Sequence, residues 1–479
     1  MNLYVINHGF HYELENVARL FFPNEKITVV RECAHREEPY IYTELSDRLR
    51  VEVRIAEFDK SLSADNAGND NEKELSLAQM LYRLLCGFTG IKQPWGLLTG
   101  VRPIKLLRNV SQEQGFERAK EIFAKDYYVS PEKLDLAVMT EENERKIIEL
   151  SRPDSFSLYV GVPFCPSRCS YCSFVMSSIE RAKKLVEPYA ELLCEEIRIT
   201  AEIADKLGLR LETVYFGGGT PTTLSAEQLS KVIGTVNGNF DMSDCREFTV
   251  EAGRPDTINE DKLKTIKSFD IGRISINPQT MNEETLKIIG RNHTPKQIVE
   301  AYELARKCGI DVINMDIIAG LPGENLEMFK KTVSEVEALN PENTTVHTMS
   351  IKRSSRLREM LDEYDLTKGD EVSKMVDYAR ETLAKKGKYP YYLYRQKNML
   401  GNLENIGYCT KGTESLYNIF IMEEVQTILA LGCGGVTKTV DRETDRIERI
   451  FNVKEPKDYI GRIDEMLERK EILRIGSVK

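Results

Sequence analysis

Ser157-Leu-Tyr-Val-Gly-Val-Pro-Phe-Cys-Pro-Ser-Arg-Cys-Ser-Tyr-Cys-Ser-Phe174 joins a strand-like run to a loop. Its first six residues form an apolar, partly β-branched segment of the length of a buried strand. The run then breaks into a segment carrying Cys165, Cys169 and Cys172. The same order, strand then Gly- or Pro-containing loop then helix, recurs along residues 157–351. Further strand-like runs are 212–216, 247–251, 272–276, 312–318 and 344–349, and helix-like segments such as 185–207, 226–236 and 295–307 lie between them. Six strands alternating with helices predict parallel βα units with right-handed connections. Near-continuous apolar strands fit a covered sheet, and six units fall short of the eight that close a barrel. The expected core is therefore α/β, a partial (βα)6 three-quarter barrel.

Ligands of such sheets bind beyond the carboxyl ends of the strands. The motifs obey that rule. Cys165 follows the first strand, Gly217-Gly-Gly-Thr-Pro-Thr222 the second, Glu251 ends the third, Gln279 follows the fourth and Gly320-Leu-Pro-Gly323 the fifth. Three thiols this close can take one face of an iron–sulfur cube and leave its fourth iron without a protein ligand, whereas such clusters normally hold four thiolates. The alternatives are a structural zinc site or three buried thiols. Zinc sites draw on paired Cys or Cys/His ligands, and no Cys or His follows nearby as a fourth. The triple glycine gives backbone without Cβ, which permits close approach of a bound group and exposes amides to a carboxylate.

The remaining composition narrows the field. A chain of 479 residues is longer than one ordinary domain. Its net charge of −10 argues against a general nucleic-acid binder. No apolar stretch long enough to span a membrane and no secretory signal pattern is evident. The expected location is the cytoplasm, with no nucleic-acid or membrane partner. Ten Cys in so long a chain make no disulfide framework. Seven of them are scattered, although Cys409 and Cys433 are kept as candidates for lining the active site. His8 and His11 are a weak candidate metal pair.

The expected domains are 1–150, a small α+β domain with a helical connector; 151–368, the barrel; and 369–479, a mainly helical region covering the barrel mouth. In the first, 1–6 and 40–58 read as strands, 61–70 as a loop, and 75–85, 112–124 and 131–150 as helices. Trp95, the single tryptophan, reads as a packing residue. In the last, a helix to Lys386 precedes the aromatic run Tyr389–Tyr394 and Arg395-Gln-Lys-Asn398, read either as a wall over the mouth or as core.

Taken in order, these motifs resemble a known family. The Cys-x-x-x-Cys-x-x-Cys spacing is that of radical S-adenosylmethionine (SAM) proteins. Together with Val250-Glu-Ala-Gly-Arg-Pro-Asp256, Arg273-Ile-Ser-Ile-Asn-Pro-Gln279, Arg291-Asn-His293 and Asn314-Met-Asp-Ile-Ile-Ala-Gly-Leu-Pro-Gly323, it resembles the oxygen-independent coproporphyrinogen III oxidase (coproporphyrinogen dehydrogenase) family. The extra N-terminal region and Tyr394-Arg-Gln-Lys-Asn398 resemble its HemZ-type branch. The likeness covers about residues 155–440 and implies a radical-SAM three-quarter barrel.

The resemblance implies that Cys165, Cys169 and Cys172 ligate a 4Fe–4S cluster. SAM would chelate the free iron and be split by an electron from the cluster to a 5′-deoxyadenosyl radical. It places Tyr159 beside that SAM and gives Gly218 and Glu251 to holding it, with Tyr159 and Glu251 as the catalytic pair. Gly219, Thr220, Gln279, Arg291 and Asp316 match positions that contact a second SAM in the family's oxidases, so one or two SAM molecules are expected. The implied reaction takes a hydrogen from the β-carbon of a propionate of coproporphyrinogen III. Loss of an electron and carbon dioxide then leaves a vinyl group, twice over, giving protoporphyrinogen IX. An external one-electron donor such as flavodoxin or ferredoxin is implied. Lys352, Arg353 and Arg395 are candidate carboxylate partners.

Two positions depart from the oxidases: Phe174 stands where they carry a fourth Cys, and Gly161 where they carry a His. Phe174 resembles the related haem chaperones, whose His-Asn-x-x-Tyr-Trp motif this chain lacks. The alternatives are haem binding without turnover, or radical chemistry on another tetrapyrrole.

Overall fold

The computed structural model describes residues 1–32, 35–174, 176–351, 355, 357, 369–397, 399–441, 444 and 446–475. Cys33, Lys352, Arg353 and Asn398 lie outside the described residues. The chain forms two units, one of residues 1–138 with 395–403, the other of 139–394 with 404–479.

In the first unit, β1 (Asn2–Ile6), β2 (Thr28–Val30), β3 (Tyr40–Leu45), β4 (Arg48–Ile55) and β5 (Phe58–Asp65) form a sheet in the order β2-β1-β3-β4-β5. β1 runs parallel to both neighbours, and β3 to β5 form an antiparallel meander. Alternation puts Leu3, Val5, Ile41, Val51 and Val53 on one face, in a core with Leu14 and Val17 of helix His11–Phe21 and Leu77, Leu81 and Leu85 of helix Asp70–Thr89. The helical stretch expected over 112–124 is divided at Gly115, at a φ of 88°, into helices Pro103–Gln114 and Phe116–Glu121. The loop expected over 61–70 needs correction. Residues 61–65 complete β5, an edge strand whose polar residues face solvent, so composition alone made it look like a turn.

Arg395 also needs correction. It belongs to the first unit and is buried there. Its guanidinium donates to the carbonyls of Leu98, Asn402 and Leu403, while its cationic carbon lies 5.7 Å from the centre of the buried Trp95 ring. A guanidinium committed to three main-chain acceptors is a structural post, and not a partner for a substrate carboxylate.

The second unit is built on β6 (Ser155–Val162), with the short pair β7 (Phe164–Cys165) and β8 (Ser177–Ser178) just after it. Next come β9 (Arg210–Gly218), β10 (Glu247–Glu251), β11 (Arg273–Ser275), β12 (Val312–Ala319) and β13 (Asn343–Thr348). These lie side by side in the order β6-β9-β10-β11-β12-β13, every neighbouring pair parallel. Consecutive strands are thus spatial neighbours, as in a barrel wound one way. The two ends of this run do not pair with each other, so the barrel is open.

The region after 369, expected to be mainly helical, also supplies, among its described residues, five strands: β14 (Tyr389–Tyr394), β15 (Asn405–Cys409), β16 (Thr427–Leu431), β17 (Val436–Val440) and β18 (Ile447–Phe451). β15 and β14 extend the sheet antiparallel beyond β13; β16, parallel to β6, and then β17 and β18 extend the other edge. Such short apolar runs have no periodicity that separates strand from buried helix; the edges of the preformed sheet decide for strand. Among the described residues no helix is long and apolar enough to cross a membrane.

Candidate functional site

The three cysteines sit beyond the carboxyl end of β6, on a loop anchored from several sides. β7 pairs with β8, bringing Cys165 opposite Ser178. The Ser170 amide donates to Ile289 O, and the Ser167 hydroxyl to Gly290 O at 2.8 Å. Cys165 Sγ lies 3.4 Å from the Thr220 hydroxyl, Cys169 is buried, and Cys172 is partly exposed. Burial, and then the charges of the two other thiols, push the Cys165 thiol up to about 11. Among the described residues no three His, Cys, Asp or Glu side chains surround a single metal position.

Positive charge gathers behind these thiols. Arg254, 3% exposed, points a guanidinium N–H at Cys169 Sγ, 3.7 Å away, and also donates to Ser167 O and Oγ. Arg291 is buried, hydrogen-bonds to Cys169 and Tyr171, and donates to the carbonyls of Gly253 and Asn277. Among the described residues one carboxylate, that of Asp256, pairs with Arg254, at 3.1 Å. His293 is buried with neither ring nitrogen hydrogen-bonded; burial, then the two guanidiniums, hold it down at about 3, so it adds no charge. Two buried cations beside one carboxylate call for a further anion. A cluster held by three thiolates supplies it, so the donor set and its surroundings fit a 4Fe–4S group.

The glycine run packs differently from the sequence expectation. A Cβ on Gly219 would stand 2.6 Å from Phe164 O and 2.8 Å from Val162 O. The amides of Gly219 and Thr220 donate to Val162 O and Phe164 O. These two amides therefore clamp the end of β9 to the start of the cysteine loop and are not available to a carboxylate. Gly218, at φ +104°, lies close to the Tyr159 hydroxyl.

Inside the barrel, Tyr159 of β6, Tyr215 of β9 and Tyr417 of helix Leu416–Glu423 form a stack, with Tyr215 and Tyr417 centroids 4.5 Å apart. The Tyr215 hydroxyl donates to Glu251 Oε1 at 2.6 Å. Burial pushes Glu251 up to about 7 against that hydrogen bond, aided by the charge of Asp316. Burial also acts on Asp316, but hydrogen bonds from His347 and Asn314 outweigh it and hold its carboxyl below the usual range. His347 Nε2 lies 3.5 Å from Asp316. Gln279, at φ +65°, bridges β12 through its backbone and leaves its buried side-chain oxygen without a partner.

The expected residues thus fall into two groups: the cysteine loop with Gly219, Thr220 and Arg291, and the interior group of Tyr159, Glu251 and Asp316. Tyr215, Tyr417, His347 and Arg254 were not singled out from the sequence. Tyr215 and His347 stand in the quoted strand runs, which hold several other polar residues, so nothing local distinguished them. The remaining candidates resolve as structural. The Cys433 thiol donates to Lys454 O and Cys409 is buried in β15, both pushed up by burial. His8 bonds to Thr43 and His11 to Gly9 O, so they form no pair. Gly161, where the oxidases carry His, is closed in by the carbonyls of Leu431 and Cys433, 3.1 and 3.3 Å from where a Cβ would stand.

An open barrel of parallel βα units with three thiols beyond its first strand defines a radical SAM protein, and the model of the Radical SAM superfamily matches residues 159–336. Over 96% of this chain and 94% of the other, the sequence is 40% identical to the oxygen-independent coproporphyrinogen-III oxidase-like protein HemZ of Bacillus subtilis. The chain belongs to that HemZ family. It is also 33% identical, over 56% of its length and 66% of the other protein, to the heme chaperone HemW of Lactococcus lactis. The coproporphyrinogen III oxidase HemN structure from Escherichia coli shares the fold, with a TM-score of 0.51, 22% identity, and coverage of 67% of this chain and 72% of that one.

Proposed function

We propose that this chain catalyses the anaerobic oxidative decarboxylation of coproporphyrinogen III propionates to vinyl groups, giving protoporphyrinogen IX. The observation that carries the reading is the three-thiol loop beyond β6 beside an interior carboxylate group, in a chain similar along its whole length to an oxidase-like relative. Cys165, Cys169 and Cys172 would hold the cluster. With SAM bound, that centre supplies one-electron chemistry able to remove a hydrogen atom from an unactivated carbon. Tyr159 and Glu251 would bind and orient SAM, Glu251 as acceptor for an amino or hydroxyl group with Tyr215 fixing its carboxylate. Gly218 allows close approach. Gly219 and Thr220 act by fixing the loop. Gln279 and Asp316 line the space for a second SAM or the substrate, and the aromatic stack keeps water from the reacting carbon.

A second reading, haem binding without turnover, is favoured by Phe174 in the place of a fourth Cys and by the HemW relatives. Anaerobic incubation of the reconstituted protein with SAM, reductant and coproporphyrinogen III, analysed by product mass spectrometry, separates them. A porphyrinogen that has lost carbon dioxide supports the oxidase. Deoxyadenosine without a decarboxylated product refutes that substrate and turns the assay to other tetrapyrroles. Stoichiometric haem retention without SAM cleavage favours the second reading.

A further inference from the structure

We infer that Arg254 is a positioning residue that sets the reduction potential of the cluster through Cys169, and that Asp256 tempers it. The inference rests on the reading that Cys165, Cys169 and Cys172 hold that cluster. The side-chain hydrogen bonds of Arg254 run to Ser167 and Cys169 of the cysteine loop and to Asp256, and its charge also acts on His293. It sits just after Glu251, on the turn that ends β10, and its carbonyl accepts from Thr257. A 3%-exposed guanidinium carries a desolvation cost that one carboxylate offsets only in part. Its N–H lies 3.7 Å from the sulfur of the most enclosed of the three thiols.

Cluster potentials follow net charge, hydrogen bonds to the sulfurs and exposure. Reduction adds an electron, and therefore negative charge, beside this guanidinium. A fixed cation with an N–H directed at the thiolate stabilises the reduced form more than the oxidised one. Asp256, bound to the same guanidinium by both oxygens at 3.1 Å, withdraws part of that effect. The two residues should therefore shift the potential in opposite directions, which a merely structural pair would not do.

The test is an EPR-monitored redox titration of anaerobically reconstituted protein, with iron and sulfide content measured in parallel. Arg254→Gln is expected to lower the ratio of reduced to oxidised cluster at fixed potential about tenfold, a downward shift of about 59 mV for a one-electron couple. Asp256→Asn should shift the midpoint upward, and Arg254→Lys, which keeps the charge and loses the fork, should fall between wild type and Arg254→Gln. Unmoved midpoints in variants with full clusters overturn the inference and leave the cluster assignment standing. If Arg254→Gln fails to take up iron, Asp256→Asn decides: an upward shift supports the inference, and no shift or a downward one overturns it. A wild-type protein that assembles no cluster refutes the underlying site reading instead.

Discussion

Replacing Glu251 with Gln should make the fold more stable at high pH than at low pH relative to wild type. The carboxyl is pushed from its ordinary 4.5 up to about 7, first by burial. Between these values the folded protein holds a proton that the unfolded chain has released, so stability falls as pH rises through this window and is level above it. At about 1.4 kcal/mol per pKa unit, the loss is about 3 kcal/mol at most. Glu251 is not fully enclosed, and solvent screening reduces this to about 2 kcal/mol. Gln keeps an oxygen to accept the Tyr215 hydroxyl while removing the charge. Urea unfolding of the reduced apoprotein, followed by circular dichroism at pH 4.5 and pH 8.5, gives the variant-minus-wild-type difference at each pH. Its rise by about 2 kcal/mol with pH is expected. A difference that does not change with pH would refute the claim that the carboxylate is destabilised where it lies.

Gly219→Ala should destabilise the barrel unit by about 1 to 3 kcal/mol, because its Cβ meets the Phe164 carbonyl; a thermal scan and an iron assay should show a lower transition and less cluster, and an unchanged pair would deny the clamp. Arg395→Ala should cost about 3 kcal/mol by leaving buried carbonyls unpaired. SAM cleavage by the folded fraction should be unchanged, and a selective loss of substrate binding would restore Arg395 as a carboxylate partner. Cys308→Ala, at the half-buried end of helix Pro295–Lys307, should leave visible absorbance and SAM cleavage nearly intact.

The barrel was legible because period and order agree. β10 spans the residues read for it, and the other five core strands differ by at most two residues at either end. Helix Pro295–Lys307 also starts and stops as read, since Thr294 and Gln297 form a capping box before it. β5, β14 and β18 were less legible because an edge strand takes its identity from the partner it pairs with, and β15 to β17 because a short apolar run has no period of its own that separates strand from buried helix. The placement of 395–403 with the first unit depends on Arg395 meeting Trp95 and Asn402 meeting Gln93, the latter pair 309 residues apart in sequence, which no local pattern records. At the site, the cysteines announce themselves by spacing. Arg254 did not, because one Arg in a turn looks like solvated charge until its burial against Cys169 is seen.

The central claim is that Cys165, Cys169 and Cys172 each give one thiolate to a single 4Fe–4S cluster that cleaves SAM. The most direct measurement is anaerobic reconstitution of wild type and the three single Cys→Ala proteins, reading iron content, visible absorbance and deoxyadenosine formed with SAM and reductant. Wild type should hold about four irons per chain and form deoxyadenosine, and each variant should lose cluster and cleavage together, because a cube with two protein ligands is poorly held. A Cys169→Ala protein that keeps a full, SAM-cleaving cluster would contradict the account.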